Sequence, residues 1–195
     1  MQGITSAEKL AQIAAGTHAR IHLDAYTRNI ERLTAMLPPK TALMAVVKAD
    51  AYGHGAIECS KAALRAGATM LGVARIAEAL ALRASGVTGD ILVLGPPNVA
   101  EMPLAIQHDV AITIGSVSSI GPIKTHVETA KRPLRVHLKI DTGMHRFGVQ
   151  PDDALRAAQL LRTIPHVSLD GVFTHFASAD ETDDEPTRMQ IAGFE

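Results

Sequence analysis

The chain has 195 residues, 47% of them hydrophobic and 20% charged, and a formal net charge of −1. That length allows one domain with a substantial core, and the near-neutral charge leaves no electrostatic footprint for nucleic acid. No apolar run approaches the ~20 residues of a membrane span, and no charged-then-apolar signal peptide opens the chain.

The single cysteine, Cys59, cannot form an internal disulfide, which points to a reducing cytoplasm. It falls in a helix pattern and reads as packing, not as a nucleophile. There is no tryptophan and only 3% aromatic content, so the core must be built mainly from alanine, valine, leucine and isoleucine, as in tightly packed α/β layers.

Residues 6–15 predict a short amphipathic helix. Ala19 to Leu23 alternates apolar and polar residues and predicts a half-exposed strand. Asp24 is placed to cap the next helix, whose Ile30, Leu33 and Leu37 share a face before Pro38-Pro39 stops it. Leu43 to Val47 is a short apolar run of the kind found in buried parallel strands. It ends on Lys48, and a turn of small residues with Asp50, Tyr52 and His54 leads to a helix pattern from Ala56, closed by Gly67.

Strand and helix patterns then alternate with little slack. Strands are predicted at Met70 to Val73, Ile91 to Leu94, Ala111 to Ile114, Leu134 to Ile140 and Leu169 to Thr174. Between them lie helix patterns from Ile76, Asn98, Ser116 and Pro151, with Pro103 and Gly121-Pro122 as interruptions of the middle two. A last helix begins near Thr187, after the acidic run 180–185, which reads as a solvated loop. Six strands separated by helices mean βαβ units and a parallel sheet; a doubly wound open sheet and a TIM barrel are the two candidates on pattern alone.

The polar residues that need explaining fall just after strands. Lys48, Asp50, Tyr52 and His54 follow the first, and Arg75 and Glu78 the second. Lys139, Asp141, His145 and Arg146 end or follow the fifth; His175, Ser178 and Asp180 follow the sixth. In parallel α/β architectures these carboxyl ends share one face, and that face carries the site. A lysine at the end of a buried strand is partly desolvated, which favours the neutral, nucleophilic amine that a Schiff base requires. On the fifth strand, Arg135, His137 and Lys139 share a face. If that face lines a barrel, Lys139 needs a partner, with Asp141 and Glu78 as candidates for an ion pair.

Three blocks carry a resemblance. Ala45-Val46-Val47-Lys48-Ala49-Asp50-Ala51-Tyr52-Gly53-His54-Gly55 is similar to the pyridoxal-phosphate (PLP) attachment motif of the alanine racemases. Lys139-Ile140-Asp141-Thr142-Gly143-Met144-His145-Arg146-Phe147-Gly148-Val149 resembles the family's second signature, and Gly171-Val172-Phe173-Thr174-His175-Phe176-Ala177 a third block. The opening from Ala19 to Ala25, with Asn29, is also similar, although His22 stands where the family often has an acidic residue.

The resemblance selects the barrel and implies an incomplete one, with six of eight strands in residues 24–195. Residues 1–23 would pair with a C-terminal β-domain that this chain does not contain. It implies PLP as cofactor, with Lys48 as its covalent anchor and the base on one face of the substrate, and Tyr52 on the phosphate. Arg146 would contact the phenolic oxygen and the substrate carboxylate, Lys139 would be carbamylated to hold Arg146, and His175 would lie near the cofactor ring. The opposite base is a tyrosine of the partner subunit in a homodimer. The implied activity is interconversion of L- and D-alanine in the cytoplasm, supplying D-alanine for the cell wall, and this chain alone is expected to be a poor catalyst. Two alternatives stay open: a racemase of serine or another small amino acid, and a non-catalytic PLP-binding barrel.

Overall fold

The computed structural model describes residues 16 and 19–195; the helix expected over 6–15 lies outside them. Helix α1 (Leu23–Met36) leads to β1 (Met44–Val46), a tight turn (Lys48–Gly53) and α2 (Ala56–Arg65). There follow β2 (Met70–Val73), α3 (Ile76–Ala84), β3 (Asp90–Val93), α4 (Met102–Gln107), β4 (Ala111–Ile114) and α5 (Ile120–Ala130). The chain continues with β5 (Leu134–Lys139), α6 (Pro151–Arg162), β6 (Val167–Phe173) and α7 (Glu185–Ala192).

The six strands form one sheet in the order β1-β2-β3-β4-β5-β6, and every neighbouring pair is parallel. A doubly wound sheet reverses its strand order at a switch point, whereas here the order never reverses. This is the winding of a TIM barrel, and the sheet is not closed: it is a partial (β/α)8 barrel.

The core follows from the apolar runs. Leu71, Ile91, Ile112, Val136 and Leu138 on the strands are essentially inaccessible, as are Ile76, Leu82, Ile123 and Leu161 on the surrounding helices. Burying each such side chain contributes about 1.5–3 kcal/mol. The two prolines expected to interrupt helices instead sit in first turns, Pro103 in α4 and Pro122 in α5, where the missing N–H has no intrahelical partner to lose.

Two local expectations are corrected. Residues 19–22 form no strand, because no neighbouring strand among the described residues takes up their backbone hydrogen bonds, and α1 begins at Leu23. Asp24 does not cap that helix: the N-cap position is His22, and Asp24 lies in the first turn, paired with Arg28 at 3.1 Å.

The inner face of β5 is graded along its length. At the amino end Arg135 reaches Asp90 (2.9 Å) and Asp109 (3.3 Å). In the middle, Asp170 is an extra residue on β6, since Val136 pairs with Leu169 but His137 with Gly171. A side chain on Gly171 would come within 2.7 Å of the His137 ring, so glycine makes room for the imidazole. At the carboxyl end Lys139 enters the site.

Candidate functional site

The turn after β1 is the least expected feature of the backbone. Ala49, Asp50, Ala51 and Tyr52 have φ of 51, 54, 52 and 55° with ψ of 38–50°, one turn of left-handed helix. For L-residues this costs about 1–2 kcal/mol each. Small side chains at 49 and 51 limit the clash, and Gly53 and Gly55 (φ 84 and 88°) let the chain leave the turn without further strain.

Two carboxylates stabilise it. Asp50 Oδ1 accepts the Ala56 N–H (2.7 Å) at the first turn of α2. Glu78 Oε1 accepts the Ala49 N–H (2.7 Å), while its Oε2 accepts from Ala74 (2.6 Å) and Arg75 (3.1 Å). His54 is a local turn residue, its Nδ1 2.9 Å from the Ala51 carbonyl oxygen. Cys59 is buried, with its thiol pushed up first by burial, as a packing residue would be.

The turn carries Lys48 and Tyr52 to the same side, with the lysine Nζ 5.8 Å from the centre of the Tyr52 ring. Both line a cavity of about 480 Å³ at the carboxyl ends of the strands, together with Leu94, Gly95 and Pro96 after β3, Lys139 at the end of β5, Arg146 and Phe147 after it, and Phe173, Thr174 and His175 at β6. All five residues singled out from the sequence, Lys48, Tyr52, Lys139, Arg146 and His175, meet here. Asp50, Arg75, His145, Ser178 and Asp180 do not line this cavity. A neighbouring hollow of about 600 Å³ shares Val46 and Tyr52 but contains neither Lys48 nor Arg146.

Lys139 is 5% exposed. It forms no ion pair with Asp141 or Glu78, the partners expected from the sequence. Its ammonium donates instead to the Phe147 carbonyl and lies 5.5 Å from the centre of the Phe147 ring. Burial lowers its pKa below the ordinary lysine value; Asp141 opposes that shift and Arg146 adds to it. Asp141 is turned to the backbone: its Oδ1 accepts the N–H groups of Gly143 (3.1 Å) and His145 (2.9 Å). Burial works against ionisation of Asp141, yet these N–H groups hold its carboxyl below the usual range. The imidazole of His175 is also held below its ordinary pKa, first by partial burial and then by the charges of Arg146, Lys139 and Lys48.

Sequence reasoning missed Gln190. It is 3% exposed on α7. Its Oε1 accepts the Ala177 N–H (2.8 Å), and its Nε2 donates to Thr142 Oγ1 and the His175 carbonyl (both 3.1 Å). One amide thus joins the loop after β5 to the loop after β6. The available signal was a polar residue beside Met189 and Ile191, both of which are exposed while Gln190 is buried.

The donor set suits one kind of ligand. A primary amine, a guanidinium, an imidazole and a phenol converge, and among the described residues none of Lys48, Lys139 or Arg146 is ion-paired. A small anion carrying an aldehyde, such as PLP, fits this chemistry: Lys48 can bond the aldehyde carbon, and cations and hydroxyls can take up phosphate and carboxylate oxygens.

A partial β/α barrel with a lysine at the end of its first strand and its polar residues at the strands' carboxyl ends is the class that fold and site define. The chain belongs to the alanine racemase N-terminal domain family, whose model matches residues 21–195. It is 38% identical over 177 residues to an alanine racemase of Methanococcus maripaludis, covering 90% of this chain and 48% of that protein. It is 41% identical over 179 residues to that of Geobacillus stearothermophilus, covering 91% and 46%.

Among solved structures, the alanine racemase of Bacillus anthracis with bound L-Ala-P matches with a TM-score of 0.83 at 35% identity, covering 89% of this chain and 45% of that one. A histidine racemase from Leuconostoc mesenteroides matches with a TM-score of 0.79 at 29% identity, covering 88% and 45%. The chain spans about half the length of the curated relatives it matches.

Proposed function

We propose that this chain is the PLP-binding part of an amino-acid racemase acting on alanine. The observation that carries this reading is the convergence of Lys48, Tyr52, Arg146 and His175 on one cavity, in the family defined above. When bound, PLP supplies electron withdrawal from the amino acid's Cα, which makes the Cα proton removable. The protein's residues do the rest. Lys48 anchors the cofactor and, once released, holds or returns the Cα proton on one face. The Tyr52 hydroxyl, on a residue that is 60% exposed, is free to bind the phosphate.

Arg146 binds the carboxylate and the ring's oxygen, and His175 lies against the ring. Leu94, Phe147 and Phe173 provide the apolar walls that exclude water. Lys139 carries a carbamate in the working enzyme. Its depressed pKa favours the neutral amine that reacts with carbon dioxide, and the resulting anion could hold Arg146 by paired hydrogen bonds.

The second base is a tyrosine from a C-terminal β-domain of the partner subunit in a homodimer, and residues 1–23 pair with such a domain. The cellular role is D-alanine supply for peptidoglycan in the cytoplasm; no described helix is long and apolar enough to cross a membrane. A second reading, a racemase of a different amino acid on the same scaffold, is favoured by the likeness to a histidine racemase.

The test is covalent. Incubation with PLP, borohydride reduction and peptide mapping should place the cofactor on Lys48 alone, and Lys48→Ala should abolish the attachment. Undiminished labelling of the Lys48→Ala chain, or labelling at another lysine only, would refute the assignment.

A further inference from the structure

We infer that Glu78 is a positioning residue for Lys48, acting as a latch between the start of α3 and the left-handed turn. This rests on the reading of Lys48 as the cofactor anchor. The carboxylate divides its two oxygens between two tasks. Oε2 accepts the N–H groups of Ala74 and Arg75, which satisfies donors where α3 begins, the ordinary work of a glutamate at the third position of a helix. Helix capping needs no more than that oxygen. Oε1 reaches across 29 residues of sequence to the Ala49 N–H at 2.7 Å, the first peptide group after Lys48.

That second bond falls where the backbone most needs it. Ala49 is the first of four consecutive non-glycine residues in the left-handed region, which a free peptide seldom populates. The turn's own hydrogen bonds leave the Ala49 N–H unused: Ala51 N–H goes to Val47 O, His54 N–H to Ala51 O and Gly55 N–H to Asp50 O. Ala49 is exposed, so water could serve this N–H without Glu78; what Glu78 adds is a tie to the start of α3 that fixes the turn in place. The turn in turn sets where the Lys48 and Tyr52 side chains point. Glu78 therefore acts on the site through the backbone, without lining the cavity itself.

Glu78→Gln separates latch from cap. The amide keeps one accepting oxygen, and two donors at the start of α3 compete for it against one at Ala49. Residue-resolved hydrogen exchange on the full chain should show the Ala49 amide exchanging at least about tenfold faster, with Ala74 and Arg75 changing far less. In the same variant, the share of chains with PLP fixed to Lys48 by borohydride at limiting cofactor should fall several-fold. Unchanged exchange at Ala49, or equal acceleration at Ala49, Ala74 and Arg75, would overturn the latch.

A second measurement needs no variant. In the unmutated chain a scalar coupling across the hydrogen bond should connect the Ala49 amide nitrogen to the Glu78 side-chain carboxyl carbon, and none should connect it to the Asp50 carboxyl carbon. An Ala49 amide without the coupling to Glu78 would overturn the proposal equally. If the unmutated chain takes no PLP at Lys48, the functional reading fails while the Ala49 exchange and coupling results still decide whether the latch exists.

Discussion

Replacing Gln190 by leucine tests whether one buried amide holds the two halves of the site together. The side chain is almost fully enclosed and makes three hydrogen bonds, at 2.8, 3.1 and 3.1 Å. Leucine has a similar volume, so the substitution removes those bonds with little cavity. Each bond contributes about 0.5–1.5 kcal/mol net, and the His175 carbonyl and Ala177 N–H are left to find water, so the loss should be about 2–4 kcal/mol. Because the chain has no tryptophan, urea unfolding is best followed by far-ultraviolet circular dichroism. With a slope of about 2 kcal/mol per molar urea, the midpoint should fall by about 1–2 M while the slope stays as in the parent. Thr142 Oγ1 still faces Thr174 Oγ1 at 2.8 Å, so the loops should loosen without separating. A loss below about 0.5 kcal/mol with an unchanged slope would show that water replaces the amide freely, and Gln190 would then be an incidental contact.

Gly115→Ala should press on the site from below: the added methyl would lie within 2.8 Å of Phe147 Cδ2. We expect a stability loss of about 1–3 kcal/mol and weaker PLP binding as the ring is pushed into the cavity; wild-type values of both would refute the packing argument. Acid should destabilise the chain through His137 and His175. Both are held below the ordinary imidazole value of 6.5, each chiefly by burial. The unfolded chain then takes up protons first, so their contribution to stability is fully present above pH 6.5 and is lost as the pH falls through the depressed folded values. Unfolding midpoints measured from pH 7.5 downward should therefore decline, and less so in His137→Gln; a midpoint that rises on acidification would contradict the sign.

The sequence made the sheet legible because its strands are short apolar runs bounded by glycine and proline. Met70–Val73 and Ala111–Ile114 match the predicted limits, and the others differ by one or two residues at one or both ends. Pattern alone could not choose between the two parallel architectures, since strand order is a tertiary property. Residues 19–23 show why alternation is weak support for a strand: the pattern describes a surface that suits pairing, but supplies no partner.

At the site, Lys48, Tyr52, Lys139, Arg146 and His175 were visible through their motifs. What holds them was not visible. Alanine in isolation favours the right-handed helix, so four left-handed residues at 49–52 express contacts made beyond the turn, from Ala49 to Glu78 and from Asp50 to the start of α2. Likewise the partner of Lys139 is a main-chain carbonyl, which has no signature in sequence.

These failures share a cause that also accounts for the character of the cavity. Counting charges near the strands' carboxyl ends suggests neutralisation, with Asp50, Glu78 and Asp141 opposite Lys48, Lys139 and Arg146. The structure assigns the two signs different work. Each carboxylate is occupied by backbone N–H groups: Asp50 by Ala56, Glu78 by Ala49, Ala74 and Arg75, Asp141 by Gly143 and His145. Carboxylates engaged in this way fix loops in position and have fewer lone pairs left for cations. The cations, among the described residues, face the cavity without an ion pair, and their charges add to burial, the larger cause, in depressing the pKa of His175. The apolar walls of Leu94, Phe147 and Phe173 lower the local dielectric and so weaken the screening of those charges. The deficit is therefore negative charge, and an anionic ligand entering the cavity would meet loops already held in place by the carboxylates and cations not yet committed to any of them.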